Sequence, residues 1–172
     1  MTESVFINSF KLAGIQRNGP SSFNQDPSAG GEFSNKLWHE FIDKVIAAGI
    51  SLNQDMYGVS WPADDQTPPQ LITYFCGFKS DEKVQGFDLL EVHGGNYFEY
   101  RYEGYAVDID KGFQDAYMNA FPASGLKARS GQHLELYGEE YDPNAPISIF
   151  KILIPAEWHS KVELTYVRGK QL

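Results

Sequence analysis

The segment Gln132-His133-Leu134-Glu135-Leu136-Tyr137 alternates apolar residues with residues that can do chemistry. In a strand, successive side chains project to opposite faces. Leu134 and Leu136 are then expected to pack against helices, and His133, Glu135 and Tyr137 to share the other face, facing a cleft. A carboxylate buried without a partner is costly. The cost is offset when a cation arrives, and aromatic faces beside it add cation–π attraction. A Glu on an outer sheet face would do none of this, and alternation alone leaves both readings open. Two further segments carry aromatics at alternate positions. In Met56 to Trp61, Tyr57, Val59 and Trp61 share a face; in Leu71 to Phe78, Ile72, Tyr74 and Cys76 share one. Tyr57, Val59, Trp61 and Tyr74 are therefore candidate cleft walls, with core packing as the alternative for each. Gly58 marks either a bulge or a close approach of backbone.

Other chemistries find less support. The histidines are His39, His93, His133 and His159, and only His133 has a carboxylate, Glu135, two residues further along the chain. Two ligands are too few for a metal site without distant help. No G-x-S-x-G elbow is present, and neither a G-x-x-x-x-G-K-[ST] nor a G-x-G-x-x-G loop. The single cysteine, Cys76, excludes an intrachain disulfide and a C-x-x-C motif. No metal, nucleotide or other cofactor is expected.

The formal net charge of −9 repels phosphate backbones, so direct nucleic-acid binding is not expected. The acidity suits a cationic ligand, although plain solubility accounts for most of it. Aromatic residues make up 15% of the chain, enough to furnish a cavity or a β-rich core. No apolar stretch of about 18 residues exists, so no membrane span is expected. Met1 to Phe10 lacks the basic end and apolar run of a signal peptide. A reducing, cytoplasmic compartment is the simplest expectation.

The elements that must position these residues follow from periodicity. Val5 to Ile15 reads as one strand. Asn18 to Gly31 reads as a loop, from Gly19-Pro20, Pro27 and Gly30-Gly31. A loop this long is often functional, so Phe23 is a candidate to cover a bound ligand. Ser34 is the expected N-cap of a helix over Ser34–Ala48, whose stripe is Leu37, Trp38, Phe41, Ile42, Val45 and Ile46, with Gly49 as its stop. Strands follow at Met56–Trp61 and Leu71–Phe78. The order then recurs: strand residues over Phe87–Ala106 broken at Gly94-Gly95, a helix over Asp110–Phe121, and strands at Gln132–Tyr141 and Ile147–Ile154. In the second helix Phe113, Ala116, Tyr117, Ala120 and Phe121 face one way, and Pro122 and Gly125 end it. The fold class is thus α+β, a duplicated strand–helix–strand–strand unit with pseudo-twofold symmetry. An antiparallel sheet carries both helices on one face, and the other face is expected to be a concave ligand cleft. The halves run over about 4–80 and 87–156 of one 1–172 domain, with 157–172 as an extension. Tyr57-Gly58 and Tyr137-Gly138 echo one another in matching strands. Val162 to Val167 is an expected edge strand, through which subunits can pair in a homo-oligomer.

The second half resembles the GyrI-like family, which includes effector-binding domains of AraC-type and MerR-type regulators. The matching pieces are Gly95 to Gly104, Phe121-Pro122-Ala123-Ser124-Gly125, Leu134-Glu135-Leu136-Tyr137, Tyr141-Asp142 and Ile152-Leu153-Ile154-Pro155. The first half matches more loosely, through Tyr57-Gly58-Val59 and Tyr74 to Gly77. The resemblance implies a central cleft for a hydrophobic, often cationic small molecule, with Glu135 facing it. It implies a standalone member, similar to a gyrase-modulating protein and to integron cassette proteins, with gyrase or a transcription factor as a possible protein partner. The first strand starts near Val5, so no helix-turn-helix is expected before it. Binding without catalysis is the first expectation. The enzyme alternative implied by relatives is hydrolysis of a reactive electrophile, with Glu135 activating water and Tyr137 or Tyr57 orienting the substrate.

Overall fold

A computed structural model of the chain describes residues 3–158. Its strands are β1 (Glu3–Ile7), β2 (Phe10–Pro20), β3 (Met56–Pro62), β4 (Leu71–Lys79), β5 (Asp88–Val92), β6 (Gly95–Tyr105), β7 (Lys127–Ala128), β8 (His133–Tyr137) and β9 (Ile147–Glu157). Helix α1 covers Pro27–Ala47. The second helix starts as a 3-10 turn (Ala106–Asp108) and continues as α2 (Ile109–Asp115). It passes through a π-helical turn (Ala116–Ala120) and ends as α3 (Phe121–Ala123). The expected strand at Val162 to Val167 lies outside the described residues.

All pairings are antiparallel, in the order β1-β6-β9-β8-β3-β4-β2-β5, with β7 beside β9. The order reads as two mirrored halves. β6-β9-β8 corresponds to β2-β4-β3, β8 and β3 meet at the centre, and the pseudo-twofold runs between them. The outermost strands are exchanged, since β1 pairs with β6 of the second half and β5 with β2 of the first. The single strand expected over Val5–Ile15 is therefore two. The chain breaks at Asn8-Ser9, where the Gly94 N–H donates to Ser9 Oγ at 2.8 Å. A side chain at Gly94 would stand 2.5 Å from the Ile7 carbonyl oxygen, so glycine allows the crossing.

The helix boundaries also move. Asp26, not Ser34, caps α1, accepting the Ser28 N–H at 3.1 Å. Pro27 occupies the first helical position, where its missing N–H costs nothing. Gly30 lies within the helix because a Cβ there would meet the Ser21 backbone at 2.7 Å. The residues that read as a loop are thus largely strand and helix, and the true connection is Ser21 to Asp26. Gly49 (φ +70°) and Gly125 (φ +74°) end the two helices in the left-handed region, as expected.

The sheet has two unlike faces. Val5 and Ile7 of β1 and Val92 of β5 belong to opposite ends of the strand order, yet they meet in one cluster with Leu12, Tyr57, Val59, Phe75, Tyr97, Leu134 and Leu153. That contact requires the sheet to curl into a half-barrel closed around this apolar interior. The other face carries both helices. α1 lays Leu37, Phe41 and Val45 onto Ile15, Tyr74, Cys76 and Phe78. The second helix lays Ala116, Phe113, Tyr117 and Phe121 onto Phe98, Tyr102, Phe150, Ile152 and Ile154. Tyr137 touches both helix-side clusters. Leu134 and Leu136 therefore pack into the half-barrel rather than against the helices.

Candidate functional site

The helices pack on different strands, α1 on β2 and β4 and α2 on β6. The central strands β8 and β3 are left largely uncovered between them, and the gap is a groove of about 1820 Å³. The cleft thus opens on the helix-bearing side, between the helices. The concave face expected to hold it is filled by apolar side chains.

Glu135 stands on the groove floor at the centre of the sheet. Its Oε2 accepts hydrogen bonds from the Tyr74 hydroxyl at 2.6 Å and the Tyr137 hydroxyl at 2.8 Å. The Tyr74 oxygen in turn accepts the Trp38 Nε1–H from α1 at 3.0 Å. Oε1 accepts no hydrogen bond among the described residues. No fully enclosed side-chain oxygen or nitrogen there lacks a partner, so Oε1 is open to the groove. Burial pushes the Glu135 carboxyl above its ordinary value, and the two tyrosine donors pull it part of the way back. Among the described residues no basic side chain is paired with it.

Space for this arrangement comes from Gly58. Gly58 of β3 pairs directly with Glu135 of β8 and with Cys76 of β4. A Cβ there would lie 2.4 Å from the Tyr74 hydroxyl and 2.8 Å from Glu135 Oε2. Its role is close approach, and β3 continues through it without a bulge.

His133 lies on the same face of β8, two residues before Glu135. Its Nδ1 is 2.8 Å from the Tyr117 hydroxyl, and the rings stack at 5.7 Å and 22°. Burial and the nearby Arg129 push the imidazole down to about 4, so it is neutral at neutral pH. Tyr117 projects from the π-helical turn, where the Phe121 N–H reaches back five residues to the Ala116 carbonyl. Such turns recur at functional sites. From the opposite rim, Phe23 meets Tyr117 edge to face at 6.1 Å.

Of the residues expected at the site, the structure brings Glu135, Tyr137, His133, Tyr74, Trp61 and Phe23 to the groove. Trp61 does so only at the rim, with part of its ring against the half-barrel interior. Tyr57 and Val59 are corrected: both are buried on the far face, 5% and 0% exposed. The strands of the Tyr57 and Tyr137 echo do correspond, β3 to β8, but the two rings occupy opposite faces. Trp38 and Tyr117 also belong to the apolar stripes of the two helices, and helical periodicity gives no sign of their second role at the groove. Among the described residues the groove also carries Asp55, Asp110, Asp115 and Glu139, against one lysine, Lys111, already paired with Asp108 at 2.6 Å. Among the described residues no three His, Cys, Asp or Glu stand together as a metal would require, and no helix is long and apolar enough to cross a membrane.

Several solved structures share this architecture. SAV2435 bound to tetraphenylphosphonium superposes with a TM-score of 0.71 at 14% identity, covering 91% of this chain and 94% of that one. The integron cassette protein VCH_CASS2 of Vibrio cholerae gives 0.63 at 15% identity, with 91% and 95% covered. The EcmrR C-terminal domain gives 0.60 at 12% identity, with 92% and 98% covered. At these identities the likeness is one of fold. No curated protein sequence matches the chain. The model of the GyrI-like small molecule binding domain matches residues 2–157, and the chain belongs to that family.

Proposed function

We propose that the protein binds a hydrophobic organic cation in the groove between α1 and the second helix, and that it acts as a binder rather than an enzyme. The observation that carries this reading is the Glu135 carboxylate. It is desolvated, held on one oxygen by two tyrosines, open to the groove on the other, and has no basic partner among the described residues. A charge so placed is a cost to the empty protein and is compensated by a cation. Trp38 and Tyr141 flank Tyr137 edge to face at 5.2 and 4.9 Å, which gives the cation aromatic neighbours. The acidic groove draws cations toward it. The complex of the structurally similar SAV2435 with tetraphenylphosphonium points to the same chemistry.

The test uses two ions of one shape and opposite charge. Calorimetry should show tetraphenylphosphonium binding and tetraphenylborate failing to bind. Equal affinity for the two would remove charge recognition from the proposal. Bound compounds, including electrophilic esters and epoxides, should be recovered chemically intact by mass spectrometry. A hydrolysed product that disappears in Glu135→Gln would replace binding with the hydrolase reading.

A further inference from the structure

We propose that His133 is a second recognition group of the groove, donating from Nε2–H to a ligand oxygen, so that the preferred ligand is an organic cation bearing a carbonyl on its body. The inference rests on the cation reading above and specifies its ligand class.

The tautomer follows from the hydrogen bonds. Tyr117 has no partner among the described residues other than His133 Nδ1, at 2.8 Å. Burial pushes the Tyr117 phenol upward, so it keeps its proton. Among the described residues that proton has one acceptor, Nδ1, and a phenol donating there places the imidazole's own proton on Nε2. Nε2 has no partner among the described residues, and no fully enclosed side-chain nitrogen there is left unsatisfied. Nε2 therefore keeps exposed surface, on a residue that lines the groove. The ring is held in plane by its stack on Tyr117, and Phe23 backs Tyr117 edge-on. The donor is rigid before any ligand arrives.

The spacing sets the ligand. His133 and Glu135 project from one face of β8 about 6.5–7 Å apart. A ligand with its cationic centre against Glu135 Oε1 covers Nε2–H with its body. A purely hydrocarbon body strips water from that donor and returns nothing, whereas a carbonyl replaces the lost hydrogen bond. At neutral pH the imidazole is neutral, so it does not repel the cation.

The probes are (4-oxo-4-phenylbutyl)triphenylphosphonium and (4-phenylbutyl)triphenylphosphonium, which carry the same permanent cation on a chain of one length and differ in one carbonyl, set too far from phosphorus to acidify its CH2. Wild type should bind the oxo compound about tenfold more tightly, or ~1.4 kcal/mol. His133→Phe keeps the ring stack and should lose the preference, while His133→Gln, which retains a donor, should keep part of it. Independently of any variant, nitrogen-detected NMR of the wild type should show the Nε2–H tautomer. Its proton should shift with the oxo compound and far less with the phenylbutyl one. Equal affinities, a preference that survives His133→Phe, or an unmoved Nε2–H signal would overturn the inference and leave the cation reading standing. Failure of both compounds to bind wild type would overturn both.

Discussion

Glu135 decides what the groove can recognise, and its substitution isolates charge from shape. In Glu135→Gln the amide oxygen can still accept from Tyr74 and Tyr137, so the network keeps its geometry. Losing one partner of a desolvated pair costs about 2–5 kcal/mol, so tetraphenylphosphonium affinity should fall at least ~30-fold by calorimetry. The melting temperature of the empty protein should not drop, because a buried charge has been removed. The pH dependence has a definite sign. The folded state holds the Glu135 proton to higher pH than the unfolded chain does. Cation affinity should therefore rise with pH through that raised value and then level off, and the rise should vanish in Glu135→Gln. In the empty protein the same group makes stability fall as pH rises through this window. His133 acts oppositely. Its folded value of about 4 lies below its ordinary 6.5, so its contribution is complete above about 6.5 and is lost as pH falls toward 4. Denaturant titrations of the two single variants across this range should separate the opposed slopes.

Gly58 shows a residue acting through the space it leaves. Gly58→Ala drives a methyl into the Tyr74 hydroxyl and the Glu135 carboxylate. Overpacking of this kind costs about 1–3 kcal/mol, and cation affinity should fall with it as the pair is pushed apart. Gly138→Ala is the matched control, since the nearest atom to its Cβ, Asp55 Oδ1, lies at an ordinary 3.5 Å. Equal stability losses in the two variants, read by urea unfolding, would show that Gly58 is an ordinary strand glycine.

Among elements, the connection from Ser21 to Asp26 links the two halves across the groove. Ser21 and Asn24 hydrogen-bond to the carbonyls of Pro69 and Gln70, and the Gln70 side chain donates to the Phe23 carbonyl. The loop is thereby tied to the β3–β4 connection, while the Phe23 ring remains 42% exposed and touches Tyr117 of the second helix. Excising Ser22 to Ala29 would take away the Asp26 cap and the first turn of α1, so the informative change is Phe23→Ala. It should leave the melting temperature within about 2 °C, as suits a surface substitution. It should speed release of a bound cation several-fold in stopped-flow measurements, because ring contact over the ligand is lost. An unchanged dissociation rate would reduce Phe23 to a rim residue.

At the scale of the whole molecule, the exchanged strands hold the halves together. β1 leaves the first half to pair with β6, and Val5 and Ile7 enter the half-barrel interior. Placing Asp at both positions buries charges in an apolar cluster and frees the β6 edge. The variant should lose several kcal/mol of stability. It should also unfold in one transition, since both halves share that cluster. Two separate transitions in calorimetry would show instead that the halves are independent units.

Sequence by itself determined the duplicated strand–helix–strand–strand order, the stripes of both helices, the glycine stops, and the division of each strand into two faces. These are local consequences of 3.6- and 2-residue periods. His133, Glu135 and Tyr137 do share a face, as alternation requires. What tertiary structure alone decided is which faces join. Gly58 pairs with Glu135, and that register puts Tyr57 and Val59 beside Leu134 while Tyr74 joins Glu135. A shift of one residue would have reversed the assignment, and register is set by long-range pairing that no single strand encodes. The side on which the cleft opens was likewise decided by the curl of the sheet, which filled one face with apolar side chains and left the other to be walled by two helices that do not meet. Asn18 to Gly31 misled for a related reason: its glycines and prolines serve a helix start and a tight contact with Ser21, and only the neighbour that makes the contact shows why they are there.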